Sequence, residues 1–192
     1  MSSASPIAPP EDRIALRRRL IDTRKAWADS PQGLAAQAQL TQRLQAVLAQ
    51  LEPDCLGVYW AIQGEFNPLD LARQALSQRG TRLALPSAHK QPVSMDYLPW
   101  DGTEPTVRDA CGIPTGAGKP LVPDVILVPC VGFTDEGFRL GYGGGYFDRY
   151  LAQHPEVTAI GVAWAHAHIP SAAFQTAAHD QPLMVIVTEC SP

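Results

Sequence analysis

The chain has 192 residues, of which 45% are apolar and 18% charged, with a formal net charge of −4. That length fits one domain, large enough to bury roughly 70% of the surface of the unfolded chain without staples. The mild acidity leaves no footprint for nucleic acid or an anionic membrane, and no stretch is apolar enough to span a bilayer. The four cysteines, Cys55, Cys111, Cys130 and Cys190, include no C-x-x-C pair, so neither a zinc site nor a dithiol motif is signalled. They read as reduced, mostly buried thiols of a cytoplasmic protein.

Residues 1–11 carry three prolines and no apolar signal segment, and read as a disordered leader to a single domain over 12–192. Two helices are predicted next, from about Glu11 to Ala28 and from about Gln32 to Leu51, parted by Ser30-Pro31 and closed before Pro53. Cys55–Ala61 is a short apolar run suited to a buried strand. Leu69–Arg79 is helical and stops at Gly80. Arg82–Leu85 and Val93–Leu98 are short strands, and residues 99–123, dense in Pro and Gly, are loop. Asp124–Phe133 is an apolar strand, followed by a glycine-rich loop and a helix to about Gln153. Val157–Trp164 and Leu183–Thr188 complete the set. Buried strands alternating with helices predict a mostly parallel sheet covered on both faces.

The first helix holds a row of cations whose spacing is informative. At about 100° per residue, Arg13, Arg17 and Arg24 fall within an arc of about 40°. Leu16, Leu20 and Trp27 flank that arc on one side, Ile14 and Ile21 on the other, while Arg18, Arg19, Asp22 and Lys25 point outward. An inward guanidinium keeps its charge and needs an anion, either a carboxylate of the same chain or a ligand phosphate.

The glycine loop, Arg139-Leu140-Gly141-Tyr142-Gly143-Gly144-Gly145-Tyr146-Phe147-Asp148-Arg149, follows a buried strand and opens a helix. Its glycines let backbone approach a ligand, and the helix start offers free N–H groups, an arrangement suited to phosphate. Arg139 adds a charged fork. Asp148 reads either as a magnesium ligand or as a stabiliser of the helix N-terminus. The dinucleotide fingerprint fails at Tyr146 or, shifted by two, at Asp148. Gly116-Ala117-Gly118-Lys119-Pro120 lacks the earlier glycine and the hydroxyl of a P-loop, so it reads as a turn. His166 and His168 could share one side of an extended segment, but no third metal ligand accompanies them. Trp164 reads as pocket wall or core, and His179 as ligand contact or loop cap.

The run from Arg139 to Arg149 closely resembles the signature R-L-G-x-G-x-G-[YF]-[YF]-D of the 5-formyltetrahydrofolate cyclo-ligases. The resemblance extends to the basic first helix, to Trp60-Ala61-Ile62-Gln63-Gly64-Glu65, to Gly112-Ile113-Pro114 and to His179-Asp180 with the segment after it. It implies a single α/β domain with an open, mostly parallel Rossmann-like sheet, helices on both faces and a glycine-rich phosphate loop. Ligands would lie at the carboxyl ends of the strands. It also implies a monomeric enzyme acting on small molecules, which uses ATP and Mg²⁺ to close 5-formyltetrahydrofolate to 5,10-methenyltetrahydrofolate with release of ADP and phosphate.

By the same resemblance Arg13, Arg17 and Arg139 hold the ATP phosphates, together with Leu140, Gly141, Tyr142, Gly143, Gly144, Gly145, Tyr146 and Phe147. Asp148 and Asp180 serve the metal. Trp60, Glu65 and Tyr146 hold the folate, the two substrates meet at Tyr142, Gly143, Gly144 and Gly145, and Arg139 and Tyr146 act in catalysis. The chain departs from the family pattern at Arg13 and Gly144, where lysine occurs in relatives, at Ser87, where a basic residue is usual, and at Thr115 and Gly116. Another ATP-dependent kinase or ligase on the same scaffold, or a non-catalytic folate- or nucleotide-binding module, are the rival readings. Glu65 and Trp60 favour the folate enzyme over the first, and Arg139, Asp148 and Asp180 favour an enzyme over the second.

Overall fold

Alternation of side chains along four neighbouring strands organises the molecule. The computed structural model describes residues 12–177 and 180–190, so the predicted leader and His179 lie outside the described residues. The helices are α1 (Arg13–Ala28), α2 (Pro31–Leu51), α3 (Leu69–Arg79) and α4 (Tyr146–Gln153). The strands are β1 (Cys55–Gly57), β2 (Arg82–Lys90), β3 (Val93–Trp100), β4 (Val107–Arg108), β5 (Pro114–Thr115), β6 (Val125–Pro129), β7 (Gly132–Phe133), β8 (Arg139–Leu140), β9 (Thr158–Val162) and β10 (Val185–Val187). Leu56, Leu83, Leu85, Val125, Leu127, Ile160 and Val162 point to one face of the sheet, where Leu40, Leu44 and Leu48 of α2 and Leu69 and Ala72 of α3 cover them. Cys55, Ala84, Ile126 and Val128 point to the other face, covered by Tyr150 of α4 together with Met95 and Tyr97.

The main sheet has the order β10-β9-β6-β1-β2-β3. All its pairings are parallel except the β2–β3 hairpin. Numbered by their own chain order, the parallel strands run 2-1-3-4-5, the flavodoxin-type arrangement of the doubly wound class, with its switch point between β1 and β6. The starts of these two strands are clamped by Asp124, whose carboxylate accepts the N–H groups of Asp54 and Cys55 at 3.2 and 2.6 Å. Their carboxyl ends diverge, and the open crevice lies there.

Local signals place most boundaries. Ser30 caps α2 by accepting the N–H of Gly33 at 3.1 Å, with Pro31 in the first turn, and Gly80 ends α3 at φ 70°. Several expectations need correction. The hairpin strands run on to Lys90 and Trp100, because Pro99 sits on an edge strand, where a missing N–H is tolerated. The segment 99–123 is not all loop: β4 and β5 pair within it. Ile14, placed on the apolar side of α1, is 70% exposed, since the cluster under this helix begins only at Leu16.

That cluster fixes α1 beside the glycine loop. Leu16 and Leu20 pack with Val131, Leu140, Ile169 and Phe174, so α1 lies over the small β7–β8 hairpin. Among the cysteines, Cys55 and Cys130 are buried, but Cys111 and Cys190 are exposed, which corrects the expectation of mostly buried thiols. Trp164 belongs to the core and donates its indole N–H to the carbonyl of Gly64 at 2.9 Å. His166 packs edge-on against Trp27 and His168 bonds Asp135, and the described residues contain no group of three potential metal ligands. No helix among them is long and apolar enough to cross a membrane.

Candidate active site

A cavity of about 630 Å³ opens at the carboxyl ends of β1 and β6, within the size range of small-molecule sites. Arg13 and Arg17 reach it from α1, Trp60 and Glu65 from the segment after β1, and Arg139, Gly141 through Gly145, Tyr146, Phe147 and Asp148 from the glycine loop and the start of α4. Asp180 closes the charged end. Of the residues expected in the site, only Leu140 stays away. Neighbours on a strand face opposite ways, so with Arg139 turned to the cavity, Leu140 is fully buried in the cluster beneath α1. A ligand meets at most its backbone.

The loop backbone needs its glycines at two points. Gly143 has φ 93° and Gly145, the residue that caps α4, has φ 65°, both in the left-handed region. The guanidinium of Arg17 lies 3.5 Å from where a Cβ on Gly143 would stand. Arg17 donates its Nε–H to the Gly141 carbonyl at 2.6 Å, which ties α1 to the loop. Burial, and then the like charge of Arg13, lowers the proton affinity of Arg17. Two neighbouring cations so placed favour an anion between them and the loop.

The other charges are already paired. Arg139, almost wholly buried, bonds Asp148 Oδ1 at 2.8 Å and the Gln181 carbonyl at 3.1 Å. Arg13 bonds Asp180 Oδ2 at 2.9 Å. The two carboxylates expected to serve magnesium thus hold arginines here. The donor chemistry still fits the ion, which typically takes one or two carboxylates and completes its shell with substrate phosphates and water.

The row on α1 divides. Arg13 and Arg17 face the cavity, whereas Arg24 is 1% exposed and lies below the cavity wall. It donates to the carbonyl of Gln63 at 3.0 Å and to the hydroxyl of Tyr142, and stands 3.9 Å from Glu65. Arg13 and Arg24 thus both meet carboxylates of the same chain, Arg13 at the cavity and Arg24 inside the core. Glu65 accepts the Ile62 N–H at 2.8 Å and the Tyr142 hydroxyl at 2.8 Å. Burial raises its proton affinity, opposed by the Ile62 N–H, by Arg24 and by Tyr142.

The family model for the 5-formyltetrahydrofolate cyclo-ligase family matches residues 10–189. The chain belongs to this family. A cyclo-ligase of Mycoplasma pneumoniae is 42% identical over 52 residues, a stretch that is 27% of this chain and 32% of that relative. The cyclo-ligase of Haemophilus influenzae is 27% identical over 141 residues, covering 67% of this chain and 73% of the relative. Among solved structures, a 5,10-methenyltetrahydrofolate synthetase from Mycoplasma pneumoniae superposes with a TM-score of 0.77 at 23% identity, covering 93% of this chain and 99% of that one. The single α/β domain with its mostly parallel sheet is therefore the fold of this cyclo-ligase family.

Several walls of the cyclo-ligase cavity were not read from sequence. Met95 from β3, Pro86 and Ala88 from β2, and Asp109, Cys111 and Ile113 from the turn between β4 and β5 line its apolar end, with Tyr59 and Pro129 at the crevice. Asp109 folds that turn by accepting the N–H groups of Cys111, Ile113 and Ala88. An Asp two residues before Cys111 in a Gly/Pro-rich stretch was the available signal for such a turn. The departures at Thr115 and Gly116 have local causes. Thr115 donates to the Pro86 carbonyl at 2.8 Å, and a Cβ on Gly116 would stand 2.2 Å from the Pro99 carbonyl oxygen.

Proposed function

We propose that this cyclo-ligase converts 5-formyltetrahydrofolate to 5,10-methenyltetrahydrofolate at the expense of ATP, as a cytoplasmic monomer acting on small molecules. The observation that carries the reading is one cavity whose lining joins arginines and the glycine loop to apolar and aromatic walls and to the enclosed carboxylate of Glu65. The formyl oxygen is a poor leaving group. Transfer of the γ-phosphoryl group to it releases ADP and turns it into a phosphate ester of an iminium carbon. The 10-nitrogen then attacks that carbon, loses its proton, and the C–O bond breaks to release phosphate.

Positioning and charge neutralisation are the chain's tasks in such a transfer. Arg13, Arg17 and Arg139, with the amides from Gly141 to Phe147, would hold the phosphates. Asp148 and Asp180 would hold Mg²⁺, which when bound neutralises phosphate charge. Trp60 and Tyr146 would wall the pterin, and Glu65 would accept its hydrogen bonds. Each carboxylate oxygen has two lone pairs, so the bonds to Ile62 and Tyr142 leave Glu65 acceptor capacity. The two substrates would meet at Tyr142, Gly143, Gly144 and Gly145, and Tyr146 and Arg139 would act in catalysis beside them.

Mixing the protein with 5-formyltetrahydrofolate, ATP and magnesium tests the assignment. Methenyl absorbance should rise with ATP and stay flat without it. Absence of product, or product that forms equally without ATP, overturns the reading.

A further inference from the structure

Arg24 is not part of the cavity lining, yet it is the most buried charge among the described residues. From α1, about two turns after Arg17, its guanidinium spans three segments that meet at the switch point. Nε donates to the Gln63 carbonyl at 3.0 Å in the turn after β1. Nη1 lies 3.5 Å from the Cys130 carbonyl just past β6. Nη2 bonds the Tyr142 hydroxyl of the glycine loop, with the guanidinium 5.6 Å from the ring centroid. That hydroxyl in turn donates a hydrogen bond to Glu65 Oε1 at 2.8 Å. We propose that Arg24 is a positioning residue that fixes the Tyr142 hydroxyl and the Glu65 carboxylate as one hydrogen-bonded unit, holding the nucleotide loop in register with the folate-binding turn.

The chemistry requires an arginine of this kind. A planar fork can satisfy a carbonyl on one edge and a hydroxyl on another, and it keeps its charge when buried. A carboxylate as enclosed as Glu65 is otherwise driven towards its neutral form, which would donate a proton where an acceptor is needed. The groups facing Glu65 are Arg24 from α1, Tyr142 from the glycine loop, Tyr59 from the segment after β1 and Cys130 from the end of β6. Arg24 is the only cation among these four. The inference deepens the folate reading and rests on it for the role of Glu65 in turnover.

The sign of the pH effect follows. Loss of a neighbouring positive charge favours the protonated acid, so the Glu65 titration moves to higher pH. The acid limb of kcat/KM for 5-formyltetrahydrofolate should move with it. Arg24→Gln should raise both by about one pH unit or more, and lower kcat about tenfold to a hundredfold through misplacement of the reacting groups. Tyr142→Phe removes the bridge and keeps the cation, so its upward shift should be smaller, with about a tenfold loss in kcat. The Glu65 titration is read by ¹³C-carboxyl NMR, without turnover. An unchanged Glu65 titration or acid limb in Arg24→Gln overturns the proposal. If that variant does not fold, an unchanged limb in Tyr142→Phe does so. If the Glu65 titration responds to these substitutions but the wild type forms no methenyl product, the folate assignment fails and the positioning role stands.

Discussion

At one end of the cavity each arginine already has an oxygen partner: Asp180 for Arg13, the Gly141 carbonyl for Arg17, Asp148 and the Gln181 carbonyl for Arg139. At the other end Met95, Ile113, Pro86 and Ala88 present apolar surface, Asp109 spends its carboxylate on the turn it folds, and the Glu65 carboxylate is braced from below. On the proposed reading a triphosphate would have to exchange partners with the charged end, whereas a pterin would meet mainly apolar surface at the other. The first transaction depends on forked charge and fixed amides. The second depends on shape and buried area. Substitutions at the two ends should accordingly separate in the kinetics.

The largest effect is expected at Arg139. Arg139→Lys keeps a positive charge but loses the fork that spans Asp148 and Gln181. kcat/KM for ATP should fall about a hundredfold, with a much smaller change in KM for 5-formyltetrahydrofolate, measured with each substrate varied in turn. Equal movement of both constants would merge the two ends into one. Next comes Ile113→Ala, which trims the apolar wall. It should raise KM for 5-formyltetrahydrofolate up to about tenfold and leave KM for ATP alone. The reverse pattern would place the nucleotide at that wall.

Smaller effects test the scaffold. Gly145→Ala forces a side chain into the left-handed region at φ 65°, and should cost about 1–2 kcal/mol in a denaturant titration. It should also weaken ATP binding more than folate binding, because Gly145 belongs to the loop. Ser30→Ala removes the cap of α2, far from either end. It should cost about 1 kcal/mol of stability and leave both KM values where they were. A change in either KM would mean that α2 influences the cavity.

The charged end was the more legible of the two. Arg13 and Arg17 announced themselves by helical period, and the glycine run by its conformational demands. The same period put Arg24 in the row but left its partner open, because Glu65 and Tyr142 reach it only through the fold. Leu140 sat inside the signature, and the alternation of β8 moved it into the core. At the apolar end Met95 carries no chemical label, and Ile113, although inside the Gly112-Ile113-Pro114 match, stood in a stretch that read only as loop. In sequence Asp109 suits any surface turn, and only its bond from the Ala88 N–H ties it to β2.

The sequence by itself determined the helices, the apolar strands, the glycine loop and the family, because periodicity, caps and left-handed positions are properties of neighbouring residues. Only the tertiary structure decided the strand order that opens a crevice between β1 and β6, and which carboxylate answers which arginine. Those outcomes depend on distances between segments far apart in the chain, and a buried charge takes whatever partner the packing brings within hydrogen-bond reach.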